Sequence, residues 1–451
     1  MGVALSVTMA VMAAPEGARP AAKAHARLAS AGPIKHVVII YQENHDFDNI
    51  LGLFCVQHPK RHCDGRIKGV TSTGKVIPLK REGDIVPNTG HKPKHQLKAI
   101  AGGTMRGFDK IPGCSASGGY RCFATFGQSQ IPSLWALASR YAIADRMFEV
   151  SKTTSWGAHL ELVSTPLDGF TGYNPHRTAM TREHHAPGWG CDSYDVAPWR
   201  NSEGVKSFQP SCIPFVGGGG TFRKTSPVRH VPTIMDRLQK ARLTFRLYAA
   251  SPSDPNFDGG YGWAICPSFA DCIYTNQVKS MSLYRKVLKD AQAGNLANFS
   301  VVMPTNSRSQ HGGKSMMRGD NWIARVVNAI GEGPDWRSTA IFITYDDCGC
   351  FYDHVRPPPG FGIRLPMVIV SPYARRHYVD HGRSSFVSML SYVERIFGLT
   401  PLTPRDRRAY GFGQSFNYSQ RPLRYIPLKL HKVPASSIRY LKTHPTLPDT
   451  T

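Results

Sequence analysis

Two short stretches of this chain concentrate side chains able to hold a cation. The first is Gln42-Glu43-Asn44-His45-Asp46-Phe47-Asp48, continued by Asn49-Ile50-Leu51-Gly52. A carboxylate beside a carboxamide, as at Glu43 and Asn44, supplies hard oxygen ligands for a divalent cation. Asp46 and Asp48 either extend that set or cap the helix that follows, which short polar side chains do well. The second stretch is Asp346-Asp347-Cys348-Gly349-Cys350-Phe351-Tyr352-Asp353-His354-Val355-Arg356-Pro357-Pro358. Adjacent aspartates repel each other when both are ionised, so a buried pair needs a cation or a proton to compensate it. Metal binding meets that need most simply; a solvated turn is the alternative.

Each stretch follows a run that reads as a buried strand. Residues 34–41 (IKHVVIIY) and 340–345 (AIFITY) have the near-continuous β-branched and aromatic character of strands covered on both faces, as do 299–303 and 367–370. Between them, apolar residues recur at three- and four-residue spacing over about 132–145, 232–241, 319–331 and 385–396, which predicts helices. Alternating strands and helices argue a layered α/β fold with a mostly parallel sheet, whose ligand site lies beyond the carboxyl ends of the strands. Both acidic stretches fall there. Residues 165–230 are rich in Gly, Trp and His, include Gly217–Gly220, and predict an irregular insertion covering one face. Residues 34–425 then form the catalytic domain, and 426–451 a basic, extended tail.

The chain of 451 residues carries 55 Lys and Arg against 31 Asp and Glu, a formal charge of +24. Such a surface favours anionic partners: phosphorylated substrates, lipid headgroups or nucleic acid. The positive residues are dispersed and no helix-turn-helix, zinc-finger or aromatic RNA-binding pattern accompanies them, so nucleic acid is the least favoured partner. Residues 3–14 form an apolar run ending in small residues, as in an export signal, with a linker to residue 33. The ten cysteines fall in near neighbours, Cys55/Cys63, Cys114/Cys122, Cys191/Cys212, Cys266/Cys272 and Cys348/Cys350, which favours short-range disulfides in an oxidising compartment over structural zinc. An exported protein, whether secreted, periplasmic or at the cell surface, is the expectation.

The segment Glu43-Asn44-His45-Asp46-Phe47-Asp48 with Gly52, together with Tyr345-Asp346-Asp347 leading to Tyr352-Asp353-His354-Val355 and Pro357-Pro358, resembles the paired motifs of the phosphoesterase family of non-specific phospholipases C and related acid phosphatases. The resemblance runs collinearly over about residues 34–420. It implies an alkaline-phosphatase-like α/β core and a divalent metal held by Glu43, Asn44, Asp346 and Asp347. It also implies a Ser or Thr nucleophile after Asp145-Arg146-Met147-Phe148, which aligns with Ser155 (Thr154 being the neighbouring choice), and a basic residue at His159. His91, His311 and His354 match the family's histidines, and Asp353 would orient His354. His45, Asp46 and the Cys348-Gly349-Cys350 segment depart from the family pattern, as does Gly157-Ala158 where Pro-Asn is usual.

The activity implied is hydrolysis of a phospholipid on the phospholipase C side of the phosphate through a phosphoryl-enzyme intermediate, with peripheral contact to an anionic membrane surface. A broad phosphomonoesterase would use the same groups, and a basic anion- or nucleic-acid-binding protein is the non-enzymatic alternative.

Overall fold

The strand expected at residues 34–41 lies at the centre of a nine-stranded sheet in the computed structural model, which describes residues 1, 32–164, 167, 169–201, 203–215 and 230–445. The export-signal segment and Gly217–Gly220 lie outside the described residues. In chain order the sheet strands are β1 (His36–Gln42), β2 (Ala142–Phe148), β3 (Phe245–Ala249), β4 (Met281–Leu283), β5 (Phe299–Val302), β6 (Thr339–Tyr345), β7 (Arg364–Val370), β8 (Val379–Asp380) and β9 (Ser384–Ser385). Their spatial order is β4-β3-β5-β1-β6-β7-β2-β8, with β9 also pairing β2. All pairings are parallel except those of β7, which runs against both β6 and β2.

The sheet separates two hydrophobic cores, and β1 shows why. Val38 and Ile40 pack into one core while Val37, Ile39 and Tyr41 pack into the other. Alternate side chains point to opposite faces, so a strand buried on both sides must be apolar throughout. Helices α1 (Pro132–Arg140), α2 (Ser155–Glu161), α3 (Ile234–Lys240), α4 (Met316–Glu332) and α5 (Phe386–Phe397) accompany the sheet. This is the α/β architecture, mostly parallel and flanked by helices, that the sequence predicts.

Three expectations need correction. The helix predicted over 132–145 stops at Arg140, and residues 142–148 are β2, buried between β7 and the short strands β8 and β9. The tail beyond residue 425 is not wholly extended, since Ala435–Thr443 forms helix α6. Four of the five cysteine pairs are disulfides, Cys55–Cys63, Cys114–Cys122, Cys191–Cys212 and Cys266–Cys272, whereas Cys348 and Cys350 are buried thiols with sulfurs 2.6 Å apart. Among its described residues the predicted insertion contains the hairpin Val196–Arg200 with Lys206–Pro210. No described helix is long and apolar enough to cross a membrane.

Candidate active site

The register of β1 against β6 pairs Gln42 with Tyr345, so the residues after each strand emerge side by side at the carboxyl end of the sheet. The Asp346 N–H still donates to the Gln42 carbonyl at 2.9 Å. The chain then turns at Asn44, which adopts a left-handed conformation with φ 63°, tolerated by Asn better than by most residues. This turn lets the Asn44 N–H donate to Asp346 Oδ1 at 2.7 Å, and the Asp347 N–H donates to the same oxygen at 2.7 Å. Two donors on Oδ1 fix the Asp346 carboxylate and leave Oδ2 buried with no hydrogen-bond partner among the described residues.

The turn after Asp347 is equally constrained. The Gly349 N–H donates to Asp347 Oδ1 at 2.8 Å, and a Cβ at Gly349 would fall 2.1 Å from the Asn44 carbonyl oxygen. Only glycine allows that approach, and its φ of +49° suits glycine as well. The Cys348 N–H donates to Glu149 Oε1 at 2.7 Å. Glu149, at the end of β2, is fully buried, and burial, reinforced by Asp347, pushes its carboxyl well above the ordinary range.

Asn44 is oriented from behind. Its Nδ2 donates to His91 Nε2 at 2.8 Å, while His91 Nδ1 donates to the Thr89 carbonyl at 3.1 Å. With Nδ2 so engaged, Asn44 Oδ1 is left buried and without a hydrogen-bond partner among the described residues. The His311 ring lies edge-on to that of His91, centroids 5.8 Å apart. His45 brings this second histidine loop in, since its Nε2 lies 2.9 Å from the Gln310 carbonyl.

The fourth wall is α2. Thr154 precedes it in extended conformation, and its hydroxyl lies 3.0 Å from the Gly172 carbonyl and 2.8 Å from Asn174 Oδ1. Ser155 opens the helix, fully buried, and one turn later His159 Nδ1 donates to the Ser155 carbonyl at 2.8 Å. A carbonyl can only accept, so Nδ1 carries the proton and Nε2 presents its lone pair. Burial holds the imidazole below its ordinary range, with Asp346 pulling in the opposite direction. Nε2 lies 3.5 Å from Glu43 Oε1.

Glu43, His159 and Asp346 are buried and offer ligand atoms all within 4.8 Å of one another. A neutral imidazole nitrogen facing carboxylate oxygens in a dry site is unfavourable unless a proton or cation lies between them. With Asn44 Oδ1 and Asp346 Oδ2 unsatisfied alongside, these residues could hold a metal ion, and the mixed carboxylate, amide and imidazole donors suit a divalent one. His159 was legible in the sequence only as a basic residue; its place beside Glu43 and Asp346 follows from its seat on α2.

Asp353 and His354 belong to a different cluster. His354 Nδ1 is 2.5 Å from Asp48 Oδ2, and Nε2 is 2.9 Å from Asp64 Oδ1. Burial alone would lower its pKa, but the hydrogen bonds to Asp48 and Asp64 prevail and push it up to about 9. Asp353 Oδ2 accepts from Arg364 Nε at 3.1 Å and Nη2 at 2.9 Å, and Asp48 Oδ1 accepts from Nη2 at 3.2 Å. Asp48, Asp353 and His354 also converge closely enough to chelate, yet the guanidinium of the fully buried Arg364 already supplies the positive charge. Asp46, by contrast, caps, its Oδ1 accepting from the Asn49 N–H at 3.0 Å.

The Phosphoesterase family pattern matches residues 34–400, and the chain belongs to that family. Phosphoester hydrolysis is therefore the class of its chemistry. Non-specific phospholipase C1 of Arabidopsis thaliana is 24% identical over 464 residues, covering 90% of this chain and 75% of the relative. Non-hemolytic phospholipase C of Burkholderia pseudomallei is 22% identical over 465 residues, covering 88% of this chain and 61% of the relative. Among solved structures, an alkaline phosphatase superfamily protein from Vibrio parahaemolyticus aligns with TM-score 0.38 and 13% identity, over 83% of this chain and 69% of that one.

Proposed function

We propose that this protein is a metal-dependent phosphodiesterase that cleaves a phospholipid on the phospholipase C side of the phosphate. The observation that carries the reading is the buried Glu43–His159–Asp346 cluster, with Asp346 Oδ2 and Asn44 Oδ1 unsatisfied among the described residues, next to a serine on the helix that also bears His159. A phosphodiester is an anion that repels nucleophiles, so the site must neutralise it and activate the attacking hydroxyl. Glu43, Asn44, Asp346 and Asp347, with His159, would hold a divalent cation, which when bound draws charge from the phosphoryl oxygens and lowers the pKa of a nearby hydroxyl. Ser155 gives up its hydroxyl proton to water as its Oγ attacks phosphorus in line, and the bond to the glycerol oxygen breaks. His311 gives a proton to that leaving alkoxide, releasing diacylglycerol, and water then cleaves the phosphoseryl ester to free the phosphorylated headgroup. His91 orients Asn44. His354 and Asp353 lock the loops carrying the two acidic motifs, because both ring nitrogens of His354 are engaged by carboxylates.

The family likeness to phospholipases C supports the substrate class, and the four disulfides support an exported protein working in an oxidising compartment. Purified protein is incubated with phosphatidylcholine vesicles and, separately, with an aryl phosphate monoester. Diacylglycerol and phosphocholine released faster than aryl alcohol, and lost in Ser155→Ala, is the expected result. Turnover of the monoester alone would replace this reading with a phosphatase.

A further inference from the structure

The basic charge is not spread evenly around the sheet. Two adjoining surface cavities, of 880 and 450 Å³, share the segment Leu423 to Tyr425 and Pro427 as a common ridge. The larger is lined by Arg337, Arg421 and Arg424, the smaller by Arg140, Arg376 and again Arg424. Glu332 is the sole carboxylate among the lining residues, and none of the five arginines forms an ion pair among the described residues. From Arg421 to His444 the chain has no Asp or Glu at all.

Strand direction fixes where this groove lies. Arg140 lies two residues before the start of β2, Arg337 precedes β6, and Arg376 follows the end of the antiparallel β7. All three therefore sit at the amino-terminal end of the parallel strands, whereas Glu43 and Asp346 sit at the carboxyl end. Seven residues of β1 separate the two ends, about 20 Å at ~3.3 Å per residue. The groove is no part of the catalytic site.

We propose that it binds a linear inorganic polyphosphate chain, laid across the ridge with Arg424 at its centre, and so tethers the protein with its catalytic end facing away. Charge complementarity carries the choice of occupant. Planar guanidinium forks match phosphate oxygens in pairs, and unpaired arginines facing one concavity repel each other until an anion enters. A lipid bilayer is the less suited partner, because it is too flat to enter the cavities and would hold the catalytic end away from the lipid.

The test measures binding of long-chain inorganic polyphosphate to the whole protein at physiological salt. It compares wild type, the triple variant Arg337→Glu/Arg421→Glu/Arg424→Glu, and a control of equal charge change, Lys206→Glu/Lys240→Glu/Lys279→Glu, at exposed positions that line neither cavity. The groove variant should bind at least about tenfold more weakly than the control, with a shallower salt dependence, and should hydrolyse a soluble aryl phosphoester like wild type, which shows that it is folded. Equal weakening in both variants would reduce the effect to the overall field of the protein and overturn the proposal. Groove-dependent binding to phosphatidylserine vesicles with none to polyphosphate would overturn it in favour of a membrane surface.

Discussion

Replacing Arg364 by Met should cost about 3–5 kcal/mol of stability near pH 7, and less in mild acid. Arg364 is fully buried, with its Nε and Nη2 on Asp353, Nη2 also on Asp48, and Nη1 on the carbonyls of Asp64 at 2.7 Å and Asp145 at 3.0 Å. Its guanidinium carbon lies 4.2 Å from the centroid of the Phe47 ring. A charge pair at about 3 Å and an effective dielectric of about 20 is worth roughly 5 kcal/mol, most of it offset by the desolvation of both ions. Methionine fills similar volume but leaves Asp48 and Asp353 facing each other with only His354 to compensate them, and breaking one partner from such a buried network typically costs ~3–5 kcal/mol. Burial, opposed by Arg364, already holds Asp353 above the usual carboxylate range, so it takes up a proton readily once the guanidinium is gone. Urea unfolding of both proteins at pH 7 and pH 5 measures the difference at each pH. A cost below about 1 kcal/mol, or a cost that does not shrink at pH 5, would refute the view of this cluster as a charge-compensated lock.

Other outcomes follow from the same geometry. The His354 pKa is raised from 6.5 to about 9, so its stabilisation is complete below pH 6.5 and is lost as pH rises through 9. The loss amounts to at most about 3 kcal/mol, and His354→Gln should abolish that part of the alkaline destabilisation measured by thermal or urea unfolding. Gly349→Ala should destabilise by roughly 2 kcal/mol or more and reduce metal retention, because the added methyl displaces Asn44, as metal analysis of the folded fraction would show. Ser155→Ala should lower turnover by roughly 10⁴-fold or more with the fold intact, whereas Thr154→Val should chiefly cost about 1–2 kcal/mol through lost hydrogen bonds at Asn174 and Gly172, as kinetics and unfolding on both variants would show.

The strands at the centre of the sheet were legible because burial on both faces demands uninterrupted apolar residues, as in β1, β5, β6 and β7. β2 was hidden because Asp145 and Arg146 interrupt it; its pairing with β7 and the short strands β8 and β9, all distant in sequence, decides its state. β3 was missed because Arg246 interrupts its apolar run, and the edge strand β4 because it has only three residues. Glu43, Asn44 and Asp346 could be singled out as candidate ligands because they follow the carboxyl ends of parallel strands, where ligand sites of such sheets lie. His159 and Glu149 could not be placed in this way. His159 reaches Glu43 only because α2 seats against β1, where the Tyr41 hydroxyl donates to the Ala158 carbonyl at 3.1 Å. His354 looked like a catalytic group in the sequence because nothing local reveals its partners, Asp48 and Asp64, which are about 300 residues away.

Metal content bears most directly on the central claim. Wild-type protein, purified without chelator and analysed by elemental mass spectrometry, should retain a stoichiometric divalent metal. Asp346→Asn should lose it, and chelation should abolish phosphoester hydrolysis until metal is restored. Metal-free protein that hydrolyses phosphoesters undiminished, with Asp346→Asn equally active, would contradict the account.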